Sequence, residues 1–520
     1  MLGGAVGRGH FARTVVSLIS LALVAAVAFL AFAPAGAARH RKPKPRHPGP
    51  TAPLSHDGRW ITDARGRVVI THGINMVYKR PPYDPGAVGF DAPDAQFLAQ
   101  HGFNSVRLGT IYEAVEPQPG VYDDAYLDRI GAVQRTLARQ RIFSLIDFHQ
   151  DLYSERFSGE GFPDWAVIDD GLPAEPLTGF PGTYLSSPGE NQAWNNFWAD
   201  RAGPDGTGLQ EHYAAAWRHV AQRFRSEPYV MGYDLINEPW PGTEWPTCAN
   251  LDGCPAFEQD ALAPMQQKSI NAIRQVDDHH LVWYEPVVIS QFGTEYHHPD
   301  TGDPEAGMSF HTYCIADVLG SLPVTIPEIA DLSCEELEEM SISNAEERIE
   351  ANDDTWLLSE FGATDDPDTV ERMVNRADRH MLSWQWWHYC GCDDPTTSGP
   401  GDKQAIVKDP SQPPTGDNVL TDKLALIERP YPQVVAGTPL GWSFDSEAKE
   451  FELSYSTTTP GGERLRRKIK TVIYVPRIHF PDGYRVAVSG GRVTSKKDAD
   501  LLVVRRSKNA DEVNVKVSPG

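Results

Sequence analysis

Basic residues are scarce in this 520-residue chain: Lys and Arg total 47 against 71 Asp and Glu, a formal charge of −24. A phosphate backbone is bound through basic patches, so nucleic acid is excluded as the main partner. General attraction to anionic membranes is disfavoured for the same reason, which leaves a local apolar patch as the way to meet lipid. Two hydrolase motifs are missing, H-E-x-x-H and G-x-S-x-G, which speaks against a metallo- or serine hydrolase. His279-His280 lies on a helix-to-strand connection and does not replace them.

Cysteine is sparse too, at positions 248, 254, 314, 334, 390 and 392. Cys390-Gly391-Cys392 lacks a second ligand pair at zinc-finger spacing, and no metal or cofactor is expected. An even number of cysteines in an exported chain suits disulfides. Cys248 with Cys254 and Cys314 with Cys334 are the local candidates, and the sequence leaves the connectivity open. Long apolar runs are limited to Val15–Ala33, preceded by Arg8 and Arg13 and followed by Ala35-Gly36-Ala37. That layout predicts a secretory signal peptide cleaved near Ala37 and a secreted protein. The alternative is an uncleaved anchor, because the run approaches membrane-spanning length. No cysteine lies near the cleavage site to carry a lipid, and no spanning run follows it, so any membrane contact is expected to be peripheral.

What is present is ample globular material, with 40% hydrophobic, 23% charged and 10% aromatic residues. The length predicts a large domain plus a smaller module. Residues 38–54 are basic and proline-rich, the composition of a disordered linker. From 55 to 428, short apolar runs alternate with amphipathic stretches, as in parallel β/α units. A hairpin is expected over Trp60–Ile70. Strands are then expected around His72–Met76, Ser105–Gly109, Ile142–His149, Val230–Glu238, Leu281–Glu285, Met308–Tyr313, Trp356–Phe361 and Ser383–Tyr389. Between them come helical patterns such as Ala125–Gln140, Glu211–Arg225, Phe257–Val276 and Pro367–His380. Eight strands in this alternation predict an α/β protein with a (β/α)8 TIM barrel. From 429 to 520, short runs separated by Gly, Pro and Asp turns predict a C-terminal β-sandwich.

The sharpest chemical signal is Asp234-Leu235-Ile236-Asn237-Glu238-Pro239, an apolar strand ending in a carboxylate. Glu360 ends the seventh expected strand in the same way. Both should reach the carboxyl end of the barrel, where barrel enzymes keep their active sites. A pair of carboxylates there suits glycoside hydrolysis. In the retaining form one attacks the anomeric carbon, and the other protonates the leaving oxygen and then activates water. The bland alternative is a strand-end Glu that caps a helix or pairs with an Arg.

Asn-Glu-Pro after strand four and Glu after strand seven resemble clan A glycosidases, in particular glycoside hydrolase family 5. Arg107 in Val-Arg-Leu, His149 in Asp-Phe-His, His311-Thr312-Tyr313 and a tryptophan on strand eight belong to the same resemblance. It implies Glu238 as acid/base, Glu360 as nucleophile and Asn237 on the sugar 2-hydroxyl. His149 and His311 also enter as substrate-binding residues, and Arg107 and Tyr313 as the groups that keep the nucleophile ionised. Trp387 fits the family's aromatic floor beneath the sugar, in competition with Trp384 and Trp386. Each accessory residue has a structural alternative: a buried ion pair for Arg107, a core histidine for His149, interior packing for His311 and Tyr313.

Longer segments narrow the resemblance. Gly73–Lys79, His149–Tyr153, Gly161–Trp165 and Arg429–Gln433 with Ala436–Pro439 resemble the endoglycoceramidases of that family. This implies hydrolysis of the β-linkage between an oligosaccharide and ceramide, a glycosphingolipid as partner, and a monomer. Lys79 and Asp151 would bind glycan hydroxyls or, alternatively, form a structural salt bridge. The loops 151–207 and 286–306 are the candidates for the ceramide groove. Other family 5 activities compete: an endo-β-glucanase, a steryl or alkyl β-glucosidase, or a galactosylceramide specialist. A non-catalytic glycolipid-binding module is the reading that both Glu residues argue against.

Overall fold

The computed structural model describes residues 47–313 and 332–520. The signal peptide at 1–37, the linker to residue 46 and Cys314, hence the Cys314–Cys334 pairing, lie outside the described residues. Eight parallel strands close into a barrel in chain order: His72–Met76, Ser105–Ile111, Phe143–His149, Val230–Asp234, Leu281–Tyr284, Ala306–His311, Thr355–Gly362 and Trp384–Trp387. Apart from Gly362, every residue in these strands is buried. That is the pattern of strands covered inside by layered side chains and outside by helices. The helices Asp124–Arg139, Leu209–Phe224, Ala263–Arg274 and Pro367–His380 lie where the 3.6-residue periodicity places them.

One helix, Cys334–Asn352, has no counterpart in the periodicity. Its start is fixed by a capping box, in which Ser333 accepts from the Glu336 N–H and Glu336 from the Ser333 N–H. Its acidic face is held by ion pairs, Arg372 to Glu338 at 2.9 Å and Arg376 Nε to Glu339 at 2.8 Å.

The chain after 429 forms antiparallel strands in two sheets, so the expected sandwich is present. Its boundary differs from the sequence division. The strands Leu54–Asp57, Trp60–Asp63 and Val68–Val69 join Tyr431–Val435, Thr471–Tyr474, Leu501–Arg506 and Gly491–Val493 in one seven-stranded sheet. The link is Val69 opposite Val434 and Val68 opposite Val435. A hairpin carries no local sign of a partner strand hundreds of residues away, so the sequence assigned it to the barrel. The other sheet holds Thr438–Asp445, Glu450–Ser456, Glu512–Pro519 and Tyr484–Ser489.

The seven-stranded sheet also meets the barrel. Leu54, Ile61, Val69, Val434 and Val472 form one buried cluster with Phe143, Met231, Leu281 and Leu357, from the amino-terminal halves of barrel strands. The bottom of the barrel is thereby plugged with apolar side chains, and polar groups gather at the other end. The linker expected to be disordered through 54 is ordered from Pro48 onward. The buried Arg67 guanidinium donates to the carbonyls of Pro48 at 2.9 Å and Gly49 at 2.7 Å, and to Asp63 at 2.7 Å. A buried cation needs such acceptors, and they fix the segment that supplies them.

Candidate active site

At the carboxyl end of the barrel, the fourth strand hands over to Asn237-Glu238-Pro239. Glu238 adopts a left-handed backbone with φ of 44°, unusual for a residue with a side chain. Three hydrogen bonds hold it there. The Gln150 amide donates to the carbonyls of Asn237 at 2.8 Å and Glu238 at 3.0 Å, and the Glu238 N–H donates to Glu285 at 2.8 Å. Asn237 Nδ2 returns a bond to the Gln150 carbonyl at 3.0 Å.

Arg107 organises the floor. Fully buried on the second strand, it donates to Glu360 Oε1 at 2.5 Å, Asp147 at 3.0 Å, Asp234 at 2.8 Å, Glu285 at 2.8 Å and the Asn237 amide oxygen at 2.9 Å. Burial opposes its charge, but four carboxylates outweigh that and drive its pKa well above normal. Asp234 shows the other side of this crowding: burial, against the pull of Arg107, pushes it up to about 8.

Glu360 receives a second donor, the Tyr313 hydroxyl, on Oε2 at 2.8 Å. A guanidinium and a phenol thus each donate to one oxygen of the Glu360 carboxylate. Glu238 sits in different company. Its carboxyl pKa is raised, chiefly by burial and further by the charge of Glu360, while a 2.8 Å bond to His311 Nδ1 opposes the shift. A carboxylate oxygen of Glu238, one of Glu360 and a ring nitrogen of His311 all lie within 4.8 Å of one another. Retaining glycosidases keep their two carboxyl groups about 5–5.5 Å apart, and inverting ones roughly 6.5–9.5 Å. Carboxylate oxygens this close suit the short arrangement.

Polar and apolar groups both line the cleft at this pair. Lys79, His149, Asp151, Trp387 and Thr396 are in contact with one another there. Lys79 Nζ bonds Asp151 at 2.6 Å and the Thr396 hydroxyl at 3.0 Å, and lies 4.5 Å from the Trp387 ring centroid. Lys79 and Asp151 form the salt bridge that was the structural alternative, and both line the cleft. His149 stacks near Trp387 at 5.3 Å and bonds Asp147 at 2.8 Å. Burial disfavours its charge, yet Asp147 and Asp151 outweigh it and hold the imidazole up at about 10. Phe180, Tyr184, Leu185, Trp240, Val288 and Phe292 line the same cleft, with Tyr184 stacked on Trp240 at 4.9 Å.

A match to the model "Cellulase (glycosyl hydrolase family 5)" covers residues 64–393, and one to "Glycoside hydrolase family 5 C-terminal domain" covers 429–517. The chain belongs to glycoside hydrolase family 5. This family 5 glycosidase is 33% identical over 461 residues to Endoglycoceramidase I of Rhodococcus hoagii, covering 88% of this chain and 86% of the relative. It is 29% identical over 487 residues to an endoglycoceramidase of Cyanea nozakii, covering 86% and 89%. The ganglioside GM3 complex of endo-glycoceramidase II from Rhodococcus sp. superposes with a TM-score of 0.71 at 28% identity, covering 89% of this chain and 99% of the other.

The structure brings the residues singled out from the family 5 resemblance into one place. Glu238, Glu360, Asn237, Lys79, Asp151, His149, Tyr313 and Trp387 line the cleft, with Arg107 beneath it and His311 behind Glu238. Among the strand-eight tryptophans, Trp384 and Trp386 are fully buried, Trp384 stacked on His72 and Trp386 bonded to the Gln404 carbonyl. Trp387 alone of the three faces the cleft. Cys390 and Cys392 are joined to each other, as are Cys248 and Cys254, so the Cys-Gly-Cys thiolates are not free ligands.

Sequence reasoning missed Glu285. It links Arg107 to the main chain of Glu238 and lies 3.4 Å from His311 Nε2. Its signal was available: Glu285-Pro286 ends strand five as Glu238-Pro239 follows strand four.

Proposed function

We propose that this glycosidase is a retaining endo-β-glycosidase that cleaves the bond between oligosaccharide and ceramide in glycosphingolipids. Glu360 attacks the anomeric carbon while Glu238 gives its proton to the glycosidic oxygen, and ceramide leaves as the alcohol. Glu238, now a carboxylate, takes a proton from water, which displaces Glu360 and releases the glycan with its anomeric configuration kept. The raised pKa of Glu238 suits the proton donor, and the two donors on Glu360 suit the nucleophile.

The observation that carries the substrate class is the mixed lining of the cleft. Charged hydroxyl binders and the Trp387 ring line it together with an aromatic and aliphatic set, at the carboxylate pair. A glycan bonded to an alkyl-rich leaving group matches that mixture; a glucan, polar on both sides of the scissile bond, does not. The relatives named as endoglycoceramidases support the same class. Lys79 and Asp151 bind glycan hydroxyls, Asn237 the sugar 2-hydroxyl, and Trp387 the sugar face.

The enzyme is secreted after cleavage near Ala37, a reading supported by the run Val15–Ala33 and the small residues that follow. Mass spectrometry of products from a glycosphingolipid panel tests the proposal. Intact oligosaccharide plus ceramide is the expected result. Stepwise release of monosaccharides, or cleavage of cellulosic polymers without ceramide release, overturns it.

A further inference from the structure

Burial does not by itself give a tryptophan a hydrogen-bond partner in this protein: the indole N–H groups of Trp283 and Trp384 are buried and unpaired. Trp387, the strand-eight ring that lines the cleft, is held differently. Its Nε1 donates to Gln404 Oε1 at 3.1 Å. Gln404 is fully buried and does not itself line the cleft. It therefore acts from behind, on a ring that also meets Lys79 Nζ at 4.5 Å and the His149 ring at 5.3 Å.

Both ends of the Gln404 amide are fully engaged. Oε1 also accepts from the Thr397 hydroxyl. Nε2 faces three acceptors, Asp394 Oδ2 at 3.1 Å and the carbonyls of Cys390 and Gly391, each at 3.3 Å. Two donors at one end and three acceptors at the other leave the amide a single orientation. Main-chain bonds fix where it stands. The Gln404 carbonyl accepts the His388 N–H at 2.8 Å and the Trp386 indole N–H at 3.0 Å, and the Tyr389 carbonyl accepts the N–H groups of Ile406 at 3.1 Å and Val407 at 2.9 Å. The chain after strand eight thus folds back along 388–389, which brings Gln404 to the edge of Trp387.

We infer that Gln404 is a positioning residue for the reaction: anchored at its amide nitrogen, it fixes the plane and depth of the Trp387 ring on which the sugar rests. This rests on the reading of Trp387 as the sugar's floor. With its N–H engaged, Trp387 offers the sugar its face and no hydrogen bond, so its contribution depends on where that face lies. A displacement of about 1 Å beside reacting groups can cost about 100-fold in rate. The amide is suited to the task because it supplies an acceptor at one end and donors at the other. An apolar side chain of similar size keeps the packing and loses the tether.

The test is a double-mutant cycle of Gln404→Leu with Trp387→Phe on a soluble aryl β-lactoside, with thermal midpoints measured alongside. Trp387→Phe keeps a flat ring and removes the N–H that Gln404 holds. Gln404→Leu alone lowers kcat/KM about 10- to 100-fold. In the Trp387→Phe background the same change costs no more than about twofold, its partner being already gone. A side chain that only stabilised the fold would lower the midpoint in both backgrounds and leave kcat/KM in place. Gln404→Glu keeps the acceptor for the indole and, while protonated at about pH 5, one donor for the carbonyls. Its kcat/KM relative to wild type is highest there and falls as the carboxyl ionises beside Asp394, which keeps the idea testable if Gln404→Leu folds poorly. Wild-type kcat/KM in Gln404→Leu, losses that multiply across the cycle, or a Gln404→Glu ratio that is flat with pH each overturn the assignment. Wild-type kcat/KM in Trp387→Phe overturns instead the reading of Trp387 as the sugar's floor.

Discussion

Glu285 accepts the main-chain N–H of Glu238 at 2.8 Å, and its other carboxylate oxygen accepts from Arg107 Nη2 at 2.8 Å. One buried carboxylate thus ties the backbone of the proposed proton donor to the cation beneath the proposed nucleophile. Because Glu238 sits at φ of 44°, its position depends on such bonds. Glu285→Gln places an amide donor against an N–H or a guanidinium and loses one of the two links. A displacement of about 1 Å can cost about 100-fold in rate. The expected outcome is a large loss on glycolipid and a smaller loss on an aryl glycoside with an activated leaving group, which needs less proton donation. Equal losses on both substrates would place Glu285 in service of Arg107 alone.

Glu238 also sets the alkaline limb of activity. It must carry a proton at the first step, and burial raises its pKa. Activity on glycolipid is therefore lost as pH rises through that raised value. Glu238→Ala removes this limb on an aryl substrate with a good leaving group, and slows the natural glycolipid by about 10²–10⁴-fold. Rates across a pH series on both substrates measure it.

Lys79 joins structure to recognition. It is buried, and burial alone would lower its pKa, but Asp151, Asp394 and Glu160 outweigh that and raise it. Lys79→Met leaves these acids without their cation. Breaking a buried pair in this way costs about 3–5 kcal/mol, seen as a lower thermal midpoint together with a higher KM for the glycan. Pairing it with Asp151→Leu recovers much of the stability and none of the KM. Recovery of both would confine the pair to a structural role.

Much of this site was legible in the sequence because each catalytic carboxylate ends an apolar run. Glu238 and Glu360 could be placed at one end of a barrel once eight strands were counted, and the strands lie within a few residues of their expected bounds. The apolar lining of the cleft was legible only as two candidate loops, 151–207 and 286–306, and not residue by residue. Phe180, Tyr184 and Leu185 lie in a long inter-strand segment whose short helix Gly182–Ser186 carries the last two, and there an apolar residue looks the same whether it plugs a core or lines a cleft. Glu285 had a sequence signal in Glu285-Pro286 after strand five, but its role is made by contacts to residues 107, 238 and 311, which only the fold shows. Trp387 could be told from Trp384 and Trp386 only when the strand's facing was known.

Away from the site, Glu258 governs part of the pH dependence of stability. It is buried, one oxygen accepts from the His297 N–H at 2.8 Å, and the other has no partner. Burial pushes it up to about 8, with Arg348 opposing. The folded state therefore binds this proton more tightly than the unfolded chain, whose Glu titrates near 4.3. Stability is fullest below that value and declines as pH rises toward 8, the slope being negative where the native state holds more protons. Glu258→Gln flattens the decline, as a pH series of thermal midpoints would record. An unchanged slope contradicts this assignment.

The most direct measurement of the central claim is trapping with a 2-deoxy-2-fluoro-β-lactoside bearing an activated leaving group, followed by peptide mass mapping. The account predicts one lactosyl adduct, on the peptide that contains Glu360, and none in Glu360→Gln. An adduct on another residue contradicts it, as does a product of inverted anomeric configuration.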